Sequence, residues 1–215
     1  VKQYKIIGIG SDADSTEKNV GLFGVIGESG QVRHVDLQTK KPISASAADS
    51  NVGVLAGIND GLIEHCTVRL GKSLGAVDKT GDQSVVNNAG AIAGINNGTI
   101  NDVTVTIGTN VSIMAYFASA GGVAGMNGIG GVIKDASVEG GVTSKIIGRY
   151  YTGGIAGINF GTISASDFTL AAGGTLQGLV GYNYPDQCTG GIPGWNLDTI
   201  TTSNVANSGR FIASE

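Results

Sequence analysis

The sequence predicts an all-β protein, a parallel β-solenoid of about six coils, and three observations carry that prediction. First, one short line is written several times over. It reads Gly53-Val54-Leu55-Ala56-Gly57-Ile58-Asn59-Asp60-Gly61-Leu62-Ile63, then Gly90-Ala91-Ile92-Ala93-Gly94-Ile95-Asn96-Asn97-Gly98-Thr99-Ile100, then Gly153-Gly154-Ile155-Ala156-Gly157-Ile158-Asn159-Phe160-Gly161-Thr162-Ile163. Second, each copy is followed by a segment in which apolar and polar residues alternate with period two, the mark of a strand and not a helix. Third, glycine is abundant at 37 residues and proline scarce at 3, with no strict Gly-X-Y period, which excludes collagen and suits tight, repeated turns.

Composition narrows the function classes. Hydrophobic residues make up 41%, enough for a core and too many for a disordered chain. A formal charge of −4 gives no electrostatic reason to expect nucleic acid or an anionic membrane as partner. No run of 18 apolar residues exists, so no membrane insertion is expected. The chain opens at Val1 without a basic-then-apolar leader, as expected of a processed or excised piece. Two cysteines, Cys66 and Cys188, make neither a disulfide framework nor a metal pattern.

In chain order, residues 1–18 are expected to form an N-terminal strand, Tyr4 to Ile9, and a cap. The acidic loop around Asp12, Asp14 and Glu17 lacks the glycine and distal glutamate of a calcium loop. Residues 19–190 are the solenoid. Its anchor glycines are Gly24, Gly57, Gly94, Gly125, Gly157 and Gly181, spaced 33, 37, 31, 32 and 24 apart. They are expected to supply positive φ or close backbone approach at a turn. An apolar residue stands two places before each anchor and another one place after. Copies 1 and 4 carry two extra residues between the anchor and the second glycine, Gly30 and Gly131, which predicts a longer turn. The alternating strands that follow put Val35-Leu37, Cys66-Val68-Leu70, Val103-Val105-Ile107, Ala136-Val138 and Ser166-Phe168-Leu170 inward. Stretches such as Ser112 to Phe117 and Lys145 to Tyr151 supply a further strand per coil. The crossover preference makes the coil right-handed. Residues 191–215 are expected to be a C-terminal cap or junction.

Asparagine recurs two places after the anchor, at Asn59, Asn96, Asn127, Asn159 and Asn183. A stacked amide ladder at a solenoid corner explains this better than a row of ligand-binding amides, because asparagine tolerates left-handed backbone and its amide can bond its own kind.

These residues resemble GLUG-motif repeats, named for a Gly-Leu-x-Gly core. The matches are Gly21-Leu22-Phe23-Gly24, Gly154-Ile155-Ala156-Gly157 and Gly178-Leu179-Val180-Gly181, within residues 19–183. The family occurs in bacterial secreted and surface proteins, including adhesin-like proteins and accessory regions of immunoglobulin A peptidases. The resemblance therefore implies a bacterial exported protein and carries no catalytic residue across.

The chemistry expected is correspondingly sparse. Two histidines and no helix leave no His-Glu-x-x-His site, and no Gly-x-Ser-x-Gly elbow stands out. His34, His65, Asp102 and Asp135 fall at one register position, where His34, His65 and Asp102 could hold a divalent metal. A solvated turn row is the favoured reading. Tyr150, Tyr151 and Trp195 could make a sugar-stacking strip, with core filling and end-capping as the favoured alternative. Outward residues Asp36, Thr67, Thr104, Ser137 and Asp167 are too irregular for an ice-binding array.

The expectation is thus a non-catalytic structural and adhesive module, secreted or at the cell surface, without cofactor. Its partner would be a host or cell-surface protein or glycan. The alternatives are an extracellular filament subunit associating end to end and a polysaccharide-binding or polysaccharide-cleaving β-helix.

Overall fold

The structure is a computed structural model that describes residues 4–10, 15–76, 87–178 and 187–212. It is all-β, and its strands stack in parallel into a solenoid of six coils. Each coil contributes strands to four faces, taken in the same order. The first face stacks Asn19–Val20, Asn51–Val52, Asn88–Gly90, Ser119–Gly121, Tyr151–Gly153 and Cys188–Gly190. The second stacks Phe23–Ile26, Ala56–Asn59, Ala93–Asn96, Ala124–Asn127, Ala156–Asn159 and Pro193–Asn196. The third is the broad one, built on nine-residue strands such as Leu62–Leu70, Thr99–Ile107 and Val132–Gly140. The fourth runs from Ile43–Ala45 to Arg210–Ile212. Tyr4–Ile9 pairs in parallel with Val35–Thr39 and begins a partial coil beneath the first.

The core is the set of rows these registers create. Ile63, Ile100, Ile133 and Ile163 stack on one another, as do Val68, Val105, Val138 and Phe168, and all are essentially buried. Leu55, Ile92, Val123 and Ile155 form a third buried row ahead of the anchor glycines. No coil closes a core alone. Each covers the apolar face of its neighbour.

The anchor glycines act by close approach. A Cβ on Gly94 would lie 2.6 Å from the backbone nitrogen of Val52 and 2.8 Å from Cα of Asn51, so the first and second faces are pressed back to back. A Cβ on Gly157 would meet Gly125 O at 2.6 Å. Neither glycine has positive φ. The expectation of left-handed backbone at these positions is corrected: close packing of two sheets, not a turn, demands the missing side chain. The asparagines likewise end regular strands instead of occupying left-handed turns.

Left-handed backbone is found elsewhere, at His34, His65, Asp102, Asp135, Ala165 and Thr202, with φ between 45° and 55°. The reason is a phase shift. Ile63 and Cys66 both face the core although they are three residues apart, and a regular strand would point them to opposite sides. One residue in the left-handed region resets the alternation in every coil.

The C-terminal segment is also corrected. Residues 188–212 form a sixth coil in register with the fifth, with Ala156, Ile158 and Asn159 paired to Pro193, Trp195 and Asn196. The sixth anchor is therefore Gly194. Gly181 and Asn183 lie outside the described residues, and the row positions assigned to them are held by Gly194 and Asn196.

Candidate functional site

Four side-chain rows bear on function, and each is placed by the register. The first is the asparagine ladder that closes the second face. The Nδ2 of Asn59 donates to Oδ1 of Asn96 at 2.8 Å, Asn96 to Asn127 at 2.8 Å, Asn127 to Asn159 at 2.7 Å and Asn159 to Asn196 at 2.8 Å. Each amide also donates to a carbonyl of the following turn, as Asn127 does to Gly131 O at 3.1 Å. Asn59, Asn96, Asn127 and Asn159 are fully buried. The ladder starts with an orphan: coil 1 has Ile26 at this position, and Oδ1 of Asn59 is buried without a donor. These amides are consumed by one another, which leaves them to hold coils together.

A second ladder escaped the sequence reading. On the first face, Nδ2 of Asn51 donates to Asn19 Oδ1 and Nδ2 of Asn88 to Asn51 Oδ1, both at 3.0 Å. Its signal was the repeated Asn-x-Gly at 19–21, 51–53 and 88–90, but the row changes to Ser119, Tyr151 and Cys188 in later coils and is only half legible.

The left-handed row brings His34, His65 and Asp102 into one line on the outside. The rings of His34 and His65 stack at 4.9 Å between centroids and 10° between planes. Nδ1 of His65 meets Oδ2 of Asp102 at 2.7 Å. This geometry does not make a metal site. Like nitrogens of two such stacked rings sit roughly a ring spacing apart, beyond the ~4.2 Å that two metal–nitrogen bonds can bridge, and Nδ1 of His65 is engaged by a carboxylate. Among the described residues no group of three His, Cys, Asp or Glu side chains converges on an ion. Histidine and aspartate recur here for a backbone reason, since both are enriched in the left-handed region. Beside this row, Arg33 pairs with Glu64 at 2.5 Å, Arg69 pairs with Asp36, and Lys134 lies 3.5 Å from Asp135.

The aromatics are partly united. Tyr151 and Trp195 pack at 4.9 Å with planes tilted by 31°, and Tyr150 lies 6.3 Å from Tyr151. Trp195 is 39% exposed and continues an outward apolar row of Val25, Ile58, Ile95, Met126 and Ile158 on the second face. Cys66 is buried in the third-face core, donates to Glu64 O at 3.2 Å, and has its thiol pKa raised by burial above the ordinary 9.0. Cys188 begins the sixth coil on the first face and not in a turn, so the two cysteines stand on different faces four coils apart and no disulfide joins them.

The fourth row lies at the outer corner between the second and third faces. Asp60, Asn97, Gly128, Phe160 and Leu197 occupy it in coils 2 to 6, each giving its backbone N–H to the carbonyl of the coil before. The corner changes character along the rod. Asp60 and Asn97 make it polar in coils 2 and 3, with Asn97 Nδ2 donating to Asp60 Oδ1 at 2.8 Å, and coil 1 has Gly27 here with the exposed Glu28 next to it. Ile129, Phe160 and Leu197 make it largely apolar in coils 4 to 6, with the exposed Asp198 beside Leu197. At coil 4 the row has a glycine, Gly128, and the Asn97 side chain leans over it into the place a Cβ would take. Beside it opens a notch of about 320 Å³ lined by Asn97, Met126, Gly128, Ile129 and Phe160. Ile129 rises beside it on the longer turn, 86% exposed, where Gly131 N bonds Gly128 O at 2.9 Å and Gly130 takes φ +77°.

No family model matches the chain, and no solved structure matches it. A stretch of 52 residues is 46% identical to a protein named "Putative Gly-rich membrane protein" from Evansella cellulosilytica. The match covers 24% of this chain and only 6% of that much longer protein.

Proposed function

We propose that the chain is a non-catalytic structural and adhesive module, a rigid rod exported to the bacterial surface or secreted. One observation carries this reading: inward rows repeat from coil to coil while the outward row of the third face does not. The asparagine ladder and the isoleucine and valine rows hardly vary. The outward third-face row reads Arg33, Glu64, Asn101, Lys134, Ser164 and Thr201 across the six coils. A uniform scaffold under a varied surface is how solenoids present extended binding faces. The resemblance to GLUG-motif repeats and the membrane-protein name of the partial relative support a surface location. The test is adhesion: beads coated with residues 1–215 are scored on epithelial and bacterial cell layers and on a glycan array. Binding to none of these overturns the reading.

A further inference from the structure

We propose that the outer corner between the second and third faces is a docking track for an extended peptide of a partner protein. This rests on the adhesive reading and specifies what that reading leaves open, the chemistry of the partner. The notch at Gly128 is the seat. It is walled by Met126, Ile129 and Phe160, and its polar edge is the Asn97 amide, whose Nδ2 is held by Asp60 and whose Oδ1 lies over Gly128. Its walls are apolar apart from that amide, so it suits an apolar side chain. Ile129 is the telling residue: a large aliphatic side chain held out on a glycine turn, 86% exposed, beside a gap it could help to fill.

The ends of the track set direction and charge. Coils rise by about 4.8 Å, so Asp60 stands about 10 Å from the notch on one side and Leu197 about 10 Å on the other. An extended peptide rises about 3.3 Å per residue and points alternate residues to one side. A peptide lying along the corner therefore places residues about 6.6 Å apart on the track. The complementary sequence is apolar-x-apolar-x-basic-x-basic. The first apolar residue meets Leu197 and Phe160, the second fills the notch, and the basic pair reaches Asp60 and Glu28. A purely apolar occupant would leave both carboxylates unanswered. A wholly polar one would leave Ile129 and Leu197, the latter 49% exposed, against water.

A phage-displayed random heptapeptide library panned on residues 1–215 is the experiment. The expected result is enrichment of the apolar-x-apolar-x-basic pattern. Synthetic peptides of that pattern should lose at least about tenfold in affinity on Ile129→Ser or Phe160→Ser, whose side chains are not in the core. Asp60→Lys should switch the selected charge from basic to acidic. Circular dichroism melting of each variant shows that the fold is kept. No enrichment, or enrichment indifferent to Ile129→Ser and Phe160→Ser, overturns the proposal. So does binding to phosphatidylcholine vesicles, or dimerisation in sedimentation, that is lost in the same two variants. Cell adhesion that survives Ile129→Ser while no peptide binds would sink the track and leave the adhesive reading standing.

Discussion

Two polar rows run along this rod, one residue per coil, and they behave in opposite ways. Asn59, Asn96, Asn127, Asn159 and Asn196 face inward and bond to one another without interruption. His34, His65, Asp102 and Asp135 face outward, and among them one stacked pair and one His–Asp contact form. The primary amide explains the difference, because it carries both donors and an acceptor and identical residues can satisfy each other indefinitely. Carboxylates only accept when ionised, so a row of them has no such self-complementarity. Repetition in a sequence therefore does not by itself separate inside from outside. Self-complementarity of the repeated group does.

The largest effect should come from the scaffold that both rows share. Gly94→Val puts a side chain where even a Cβ would lie 2.6 Å from backbone nitrogen. Neither sheet can retreat without breaking its ladders, so we expect a loss of about 3 kcal/mol or more, beyond ordinary overpacking. Urea denaturation followed by circular dichroism measures it, and a loss under 1 kcal/mol would mean that the two faces are not pressed together.

The ladder comes next. Asn127→Leu removes the acceptor of Asn96 and the donor to Asn159 in a buried setting. A cost of about 1–3 kcal/mol is expected, that of stranding buried polar groups. The same substitution in an exposed row would cost little, so an unchanged melting curve would erase the distinction between the rows.

The fold was largely legible for the same reason the ladder was. Gly57, Gly94, Gly125 and Gly157 recur with their flanking apolar residues, and stacking makes equivalent positions identical in role. The sixth coil was misplaced because Gly178-Leu179-Val180-Gly181 imitates the core of the repeat. The better match, Gly190-Gly191-Ile192-Pro193-Gly194-Trp195-Asn196, hid behind a proline. The spacing of 24 to Gly181 was the warning, since Gly157 to Gly194 restores 37. The left-handed row is legible as a register position but not as a change of phase, because the period-two alternation is read from the residues that follow it. The corner notch could not be read at all. It lies where Asn97, Gly128 and Phe160 follow one another in successive coils, and only the stacking shows that these three are neighbours.

His65→Val separates backbone from charge in the outer row. Valine at φ 54° is forced into a region that β-branched residues avoid, which should cost about 1–2 kcal/mol. His65→Asn deletes the imidazole but tolerates the same φ, and should cost less. If both variants melt alike, the left-handed bulge is not what this row supplies.

The smallest effect should come from Asp102→Asn. The His65–Asp102 contact is 2.7 Å long, but its side chains are 42% and 62% exposed, and exposed ion pairs contribute little because water and salt screen them. Asparagine keeps the left-handed backbone at φ 48°, so only the charge is removed. A change below about 0.5 kcal/mol is expected. Zinc is the sharper half of the test. A site built from His34, His65 and Asp102 would bind the folded chain and raise its melting temperature as zinc is added, by mass action on the native state. The stacked rings and the engaged Nδ1 predict no such rise, in the parent chain or in Asp102→Asn. A zinc-dependent rise abolished by Asp102→Asn would require the imidazoles to turn out of their stack, and would give the outer row a function that its backbone role does not need.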